Sequence, residues 1–536
     1  MILRSRLSKL STLLLATASA LTLANCSHAT NDELVITPGE SGTFIALGAE
    51  VEGSIEGGTS NFDFSKTRGM SIGTAVGGPN AQNKDESKLF KPASITKLVT
   101  TALALKTLGK DFSYSTQVYY ENGSNASVAR NVVVVADGDP QVVRALIGDG
   151  VAQQPVFREI SAQLRKQGVT RIEGSLSLLS ADERRDAAVP ADGMDDSDHT
   201  VCFGAVAQSF NNAWNCASLI SKNGSARWAD SNLDYPLESR GSGGGLKLTP
   251  VANELGRIAK FIVSGSGATE APISDVKPWY ARTLLSVLNQ DGISSEGVTL
   301  HVPTGDEAEQ MKSSLSANNA FTVSSEPLSE LVRYTNKPSD NYFADSLFKT
   351  VAEKHGDASD LRTEGQAAVR QGVAKWLQAA GAPELSSEVR LVDGAGLSHE
   401  NRVSARAYMT LLKQFTKEPT FPSLWKSLPI AATDGTLKLK MKCNESNGEV
   451  RAKTGTLKGS YQLAGYIPKY ASDQRTVESY VPFVILSSVN PDQRFNVFDF
   501  QGKLASNMLK LLNPSIDFRA RLLARLTPQE RRDCKL

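Results

Sequence analysis

Apolar residues recur at spacings of three and four through Ile95, Leu98, Val99, Ala102 and Leu105, which predicts a helix from Ser94 to Leu108 with one buried face. Pro92 just before it and Gly109 just after it serve as start and stop signals. The same texture predicts helices at Tyr280 to Leu288, from Leu328 through Lys349, at Gly365 to Ala380 and at Phe498 to Leu512. Elsewhere the pattern is that of strands. Thr43 to Leu47 and Ser71 to Ala75 are candidates for an opening hairpin, and Val132 to Val135 runs into the turn Asp137-Gly138-Asp139-Pro140. Between 113 and 316, valine-rich runs alternate with glycine and serine stretches such as Gly241 to Gly245, the texture of smaller β-rich units with long surface loops. In the C-terminal third, Glu449 to Lys453, Tyr461 to Tyr466 and Val481 to Val489 read as strands. There is no internal repeat.

Composition narrows the class. The 536 residues are 40% hydrophobic and 21% charged, with a formal net charge of +1. That is ordinary for a globular chain, and the length suggests two to four domains. Near-neutrality gives no support for nucleic-acid binding. After the N-terminus no run is long and apolar enough to span a membrane.

The N-terminus itself reads as an export signal. Arg4, Arg6 and Lys9 precede a short apolar stretch, Leu10 to Leu23. It ends in Leu23-Ala24-Asn25-Cys26, similar to a bacterial lipobox, with Asn25 where a small residue is usual. Cys26 is therefore a lipidation candidate, and a lipid anchor would tie the exported chain to the membrane. The other four cysteines suit two disulfides in an oxidising compartment. Cys202 with Cys216 is close in sequence, and Cys443 with Cys534 would pin the C-terminal end. No Cys-x-x-Cys or His-Glu-x-x-His occurs, so no metal site is expected.

The candidate chemistry begins at Ser94-Ile95-Thr96-Lys97. On a helix this spacing puts both side chains on one face. A serine hydroxyl needs a group that takes its proton, and a lysine made neutral by burial can serve. At a helix N-terminus, backbone N–H groups favour developing negative charge. Ser-x-x-Lys recurs at Ser274, Ser346 and Ser423, but only Ser94 opens an apolar-periodic helix behind a proline. Ser339-Asp340-Asn341 could present a hydroxyl and an amide into a cleft; the Ser-x-Asn pattern also occurs at Ser209, Ser221 and Ser316, where a cap or turn is the plainer reading. Lys453-Thr454-Gly455-Thr456 occurs once, at the end of an alternating strand. There a cation and two hydroxyls suit a terminal carboxylate, and glycine allows close approach.

Together, in this order, the three motifs are those of class A β-lactamases and penicillin-binding proteins. The sequence resembles, more closely, the class C low-molecular-mass penicillin-binding proteins of the D-alanyl-D-alanine carboxypeptidase/endopeptidase family. The resemblance also rests on Lys91-Pro92-Ala93-Ser94, Lys337-Pro338-Ser339-Asp340-Asn341, Asp393 to Ser398 with Asn401 to Ser404, and Leu428 to Ala431 with Asp434 to Leu437. It covers about 40 to 512. It implies an α/β (α+β) transpeptidase-like fold, an antiparallel sheet flanked by helices, with smaller β-rich domains inserted between Ser94 and Ser339. The expected organisation is a signal peptide over 1–26, a discontinuous catalytic domain over 27–112 and 317–515, the insertion over 113–316 and a charged tail over 516–536.

The resemblance further implies an acyl-enzyme on Ser94, with Lys97 as base, Ser339 as proton relay and Asn341 holding the acyl-side amide. Lys453, Thr454 and Thr456 would orient the substrate carboxylate, and the backbone N–H groups of Ser94 and Thr456 would form the oxyanion hole. Lys453 would help depress the Lys97 pKa. The implied substrate is peptidoglycan peptide, with β-lactams as covalent inhibitors and no cofactor, in the periplasm. His199, His301, His355 and His399 are scattered and form no Ser-His-Asp pattern. Two alternatives share the fold. A β-lactamase needs a group to activate the deacylating water, in class A a glutamate, and no Glu-x-x-Leu-Asn follows Asn341. A non-catalytic wall-binding scaffold would not need the intact motif residues.

Overall fold

The computed structural model describes residues 71–75, 86–142, 155–186, 207–211, 215–241, 243–254, 258–489 and 494–536. The signal segment, Cys26, Thr43 to Leu47, His199 and Cys202 lie outside them. Among the described residues no helix is long and apolar enough to cross a membrane, and no cluster of three His, Cys, Asp or Glu residues could hold a metal ion.

One sheet organises the catalytic part. Its strands run in the spatial order Ser71–Ala75, Val477–Ser488, Ser460–Tyr470 and Arg451–Leu457, every neighbouring pair antiparallel. Period-two alternation gives it two apolar faces. Ala464, Tyr466, Val484 and Leu486 pack under the helices Thr96–Leu108, Leu328–Asn336, Asn341–His355, Leu361–Ala379 and Ala405–Phe415. Leu463, Ile467, Phe483 and Ile485 face the helix Arg494–Leu512 instead, against Leu504, Met508 and Leu509. Both faces are thus covered by helices, the three-layer arrangement that buries a central sheet. The candidate hairpin at Ser71 to Ala75 is a strand, paired with Val477–Ser488.

The predicted helix through Leu328 to Lys349 is two helices, Leu328–Asn336 and Asn341–His355. Pro338 lacks the N–H an uninterrupted helix needs, and Ser339 takes a left-handed φ of 67°. The break carries the Ser-Asp-Asn motif to the point where the two helices meet.

The stretch expected to be β-rich contains substantial helix. A five-stranded mixed sheet runs in the order Thr299–His301, Arg171–Ser180, Val128–Ala136, Ser115–Asn122, Ala320–Ser324. Val128–Ala136 and Arg171–Ser180 are parallel, a connection that needs a crossover, supplied by helix Pro155–Lys166. Helix Lys277–Gln290 packs beside it, with Phe157 edge-on to Tyr280 at 4.7 Å. Two three-stranded sheets complete the region around Trp228, Phe261 and Trp279. Because Ala320–Ser324 pairs with Ser115–Asn122, this unit runs past the residue 316 expected for its end.

The segment expected as a charged tail is folded. Helices Phe518–Arg525 and Pro528–Asp533 occupy it, with Phe518 and Leu522 buried. Arg525 pairs with Glu449. A disulfide joins Cys443 to Cys534, their Cα atoms 5.2 Å apart; Cys216 is also disulfide-bonded.

Candidate active site

The nucleophile turn is held from several sides. Ala93–Ile95 form a 3-10 turn that runs into the helix Thr96–Leu108, so Ser94 stands just ahead of the α-helix. Ala93 adopts a φ of 49°, a left-handed conformation that costs on the order of 1–3 kcal/mol for a residue with a Cβ and persists only where the surroundings impose it. Gln462 Nε2 donates to the Lys91 carbonyl at 2.6 Å, and the Tyr408 hydroxyl donates to the Ile95 carbonyl. A Cβ at Gly455 would stand 2.6 Å from the Pro92 carbonyl oxygen, and one at Gly396 2.0 Å from that of Ala93. Only glycine lets the Lys453 strand and the Asp393 loop approach this closely.

Lys97 is wholly buried. Its Nζ lies 3.1 Å from Ser94 Oγ, 2.6 Å from Asn341 Oδ1 and 2.6 Å from the Ala395 carbonyl. The last two can only accept, whereas a hydroxyl can also donate. A neutral Lys97 therefore spends its two N–H groups on Asn341 and Ala395, and its lone pair is left facing Ser94. Burial is the leading cause that brings its pKa down to about 7, against the opposing pull of Asp393 and Asp340.

Lys453 is equally buried and donates to Ser339 Oγ at 2.7 Å and to the Thr454 carbonyl at 2.8 Å. Burial first, then repulsion from Lys97 and Lys440, holds its pKa well below the usual lysine range. Desolvation is the leading cause for both amines, and the repulsion between them is mutual, so each opposes the charging of the other.

The remaining motif residues sit around these two amines. Asp340 caps the helix Asn341–His355 by accepting the Phe343 N–H at 3.0 Å, which fixes Asn341 as its first residue. In the register of the strand pair, Lys453 opposes Ala464 and Gly455 opposes Gln462, on the face toward the nucleophile turn. Thr454 opposes Leu463 and Thr456 opposes Tyr461. Thr454 Oγ1 meets Thr436 Oγ1 at 2.8 Å, and Thr456 is exposed. The contacts thus form two sets, Ser94–Lys97–Asn341 and Ser339–Lys453–Thr454, joined by the Ser339-Asp340-Asn341 segment and by the repulsion between the two amines.

Three further groups support the site, of which only Asp393 is read from the sequence, as a loop brace. Asp393 accepts from the N–H groups of Ala395, Gly396 and Ser398 and from Asn401 Nδ2, which aims the Ala395 carbonyl at Lys97. Thr436 and Gln462 are the others. The Asp-Gly-Ala-Gly-Leu-Ser and Asp-Gly-Thr-Leu blocks were the available signal for the first two; nothing local marks Gln462. The other Ser-x-x-Lys matches go elsewhere: Ser346 donates to the Gly138 carbonyl at 2.8 Å, Lys277 pairs with Asp186, and Lys349 pairs with Asp345.

A buried amine poised on a serine, a second amine on another serine and an amide between them define an active-serine acyl-transfer site of the penicillin-recognising class. The chain belongs to the peptidase S13 family, the D-Ala-D-Ala carboxypeptidase 3 family, whose sequence profile matches residues 64–230 and 269–496. It is 26% identical over 405 residues to the D-alanyl-D-alanine carboxypeptidase DacB of Haemophilus influenzae, covering 71% of this chain and 78% of the relative. It is 25% identical over 425 residues to a D-alanyl-D-alanine carboxypeptidase of Actinomadura sp. (strain R39), covering 75% of each. The crystal structure of penicillin binding protein 4 (dacB) from Haemophilus influenzae superposes with a TM-score of 0.63 at 22% identity, over 82% of this chain and 97% of that one. That likeness confirms the fold: the penicillin-binding, β-lactamase-like architecture expected from the sequence.

Proposed function

We propose that this serine-type D-Ala-D-Ala carboxypeptidase or D,D-endopeptidase works through an acyl-enzyme on Ser94, with peptidoglycan peptide as substrate and β-lactams as covalent inhibitors. The observation that carries the assignment is the contact of wholly buried Lys97 with Ser94 Oγ at 3.1 Å. Ser94 Oγ attacks the carbonyl of a D-alanyl peptide bond while its proton passes to neutral Lys97. The oxyanion is met by the backbone N–H groups of Ser94 and Thr456, each worth about 3–4 kcal/mol in such sites. The close packing of Gly455 on the Pro92–Ile95 turn supports this pairing of turn and strand.

Collapse of the tetrahedral intermediate breaks the C–N bond. The leaving amine takes a proton through Ser339, whose Oγ is held by Lys453. Water then attacks the ester, and Ser94 recovers its proton as the product carboxylate departs. Asn341 holds the acyl-side amide in this reading. Lys453, Thr454 and Thr456 offer the charge and hydroxyls for a carboxylate, which a carboxypeptidase substrate ends in. Such substrates lie outside the cytoplasmic membrane, in keeping with the export signal and with a lipid anchor at Cys26.

The test is the intact mass of the mature protein after brief exposure to benzylpenicillin, beside Ser94→Ala. One stable adduct on the wild type and none on the variant is the expected result. No adduct on a folded wild type would favour the scaffold alternative, and rapid loss of the penicillin without an adduct would favour the β-lactamase one.

A further inference from the structure

A second cavity, of about 580 Å³, opens beside the catalytic loops, and none of Ser94, Lys97, Ser339, Asn341 or Lys453 lines it. Four separate segments bring cations to it. Lys110 follows the nucleophile helix, Arg333 and Lys337 come from the end of helix Leu328–Asn336, Lys426 from helix Phe421–Ser427, and Arg451 opens the Lys453 strand. No stretch of sequence here is itself strongly basic, so the convergence is a product of the fold.

The acids present are already engaged. Glu330 pairs with Arg333 at 3.0 Å, and Asp434 pairs with Lys337 while also accepting the Ile430 N–H at 2.8 Å. Lys110 pairs with Asp111. Lys426 and Arg451 are left with no carboxylate within ion-pair distance among the described residues. Arg451 is half-buried, stacked 4.8 Å from the Trp425 ring and reaching only the Trp425 carbonyl, at 3.5 Å. Asp434 attracts it without an ion-pair contact, and a half-buried guanidinium whose fork no carboxylate occupies is an arrangement that an oxyanion would relieve; its planar fork suits phosphate.

We propose that this cavity binds a phosphate monoester carried on a sugar- or polyol-sized group. Two cations with no carboxylate in contact suit a dianion. A volume of about 580 Å³ is in the range of small-molecule sites and leaves room beyond the phosphate itself. The site is independent of the peptidase assignment. It nonetheless adjoins the catalytic loops: Lys337 precedes Ser339 by two residues, and the loop carrying Asp434 carries Thr436, the partner of Thr454.

The test is calorimetric titration of the full chain with sn-glycerol 3-phosphate and, separately, inorganic phosphate, at matched ionic strength. Saturable binding of the ester is expected, weakened about tenfold or more in Lys426→Glu, since a charge-assisted contact is worth ~1.5–3 kcal/mol. Lys426 is exposed, and the variant should still be acylated by benzylpenicillin at the wild-type rate. Tighter binding of the ester than of inorganic phosphate identifies an organic ligand; equal binding identifies free phosphate. No saturation with either, or unchanged affinity in both Lys426→Glu and Arg333→Gln, overturns the proposal. Loss of penicillin acylation in the wild type would count against the peptidase mechanism and leave the titration result standing.

Discussion

The helix Asn341–His355 meets a buried cation at its start and another along its later turns, and the two are kept in different company. At the start, Lys97 touches a hydroxyl, an amide oxygen and a carbonyl, all neutral. Further along, the Arg185 guanidinium from the inserted region is just as buried, but it forms two bonds of 2.9 Å to the Glu353 carboxylate, with Thr350 and Ser346 filling its other donors. Burial opposes both charges. With no carboxylate in contact, Lys97 yields and is brought down to about 7. With Glu353 bonded to it, Arg185 keeps its proton more firmly than a free guanidinium. The same desolvation thus makes a base in one region and a fixed joint in the other, and the bonded partner decides which.

The most severe way to break this contrast is to remove the titrating amine. Lys97→Met should lower the rate of Ser94 acylation by benzylpenicillin about 10³-fold or more while leaving the fold intact; near-normal acylation, read by intact mass against time, would remove Lys97 from the mechanism. Next in size is the joint. Arg185→Met opens a polar gap at a buried site and leaves the partly exposed Glu353 unpaired, and should cost about 3 kcal/mol in urea unfolding, with part of the loss recovered in Arg185→Met/Glu353→Leu. A loss under about 1 kcal/mol would place the pair among ordinary surface bridges.

Titration sharpens the comparison without mutation. A base must be neutral to accept a proton, so acylation should rise with pH, about tenfold per unit below pH ~7, and level off above it. A rate independent of pH between about 5 and 9 would contradict a lysine base. The smallest effect belongs to the outer contact. Thr436→Val removes one hydroxyl from Thr454 and should cost about 1 kcal/mol, roughly a fivefold rise in KM for a D-alanyl peptide with kcat little changed; a larger fall in kcat than in affinity would give Thr436 a part in the chemistry itself.

Much of this was legible in the residues. The nucleophile helix and the Lys453 strand each rest on local chemistry: apolar periodicity behind Pro92 and alternation along an edge strand; the break at Pro338, in a stretch read as one continuous helix, was not foreseen. Within 115–324 the helix at Tyr280 to Leu288 was read, but the crossover helix Pro155–Lys166 was not. A parallel pair such as Val128–Ala136 with Arg171–Ser180 leaves no turn signal between partners far apart in sequence, and the short Pro155–Lys166 crossover carries its apolar face on only Val156, Phe157, Ile160 and Leu164. The folded tail was hidden for a similar reason. Its helices are rich in charge, and Phe518 makes sense only against the sheet-and-helix cluster it joins.

By itself the sequence determined which side chains could do chemistry, their order and the elements that carry them, because helix and strand periods and the demands of proline and glycine are local. Only the tertiary structure decided that Lys97 is sealed from water beside neutral partners, that Asp393 turns the Ala395 carbonyl onto it, and that Gly455 and Gly396 press the nucleophile turn into its left-handed form. Desolvation and close approach are properties of what surrounds a residue, and those surroundings come from segments hundreds of positions away.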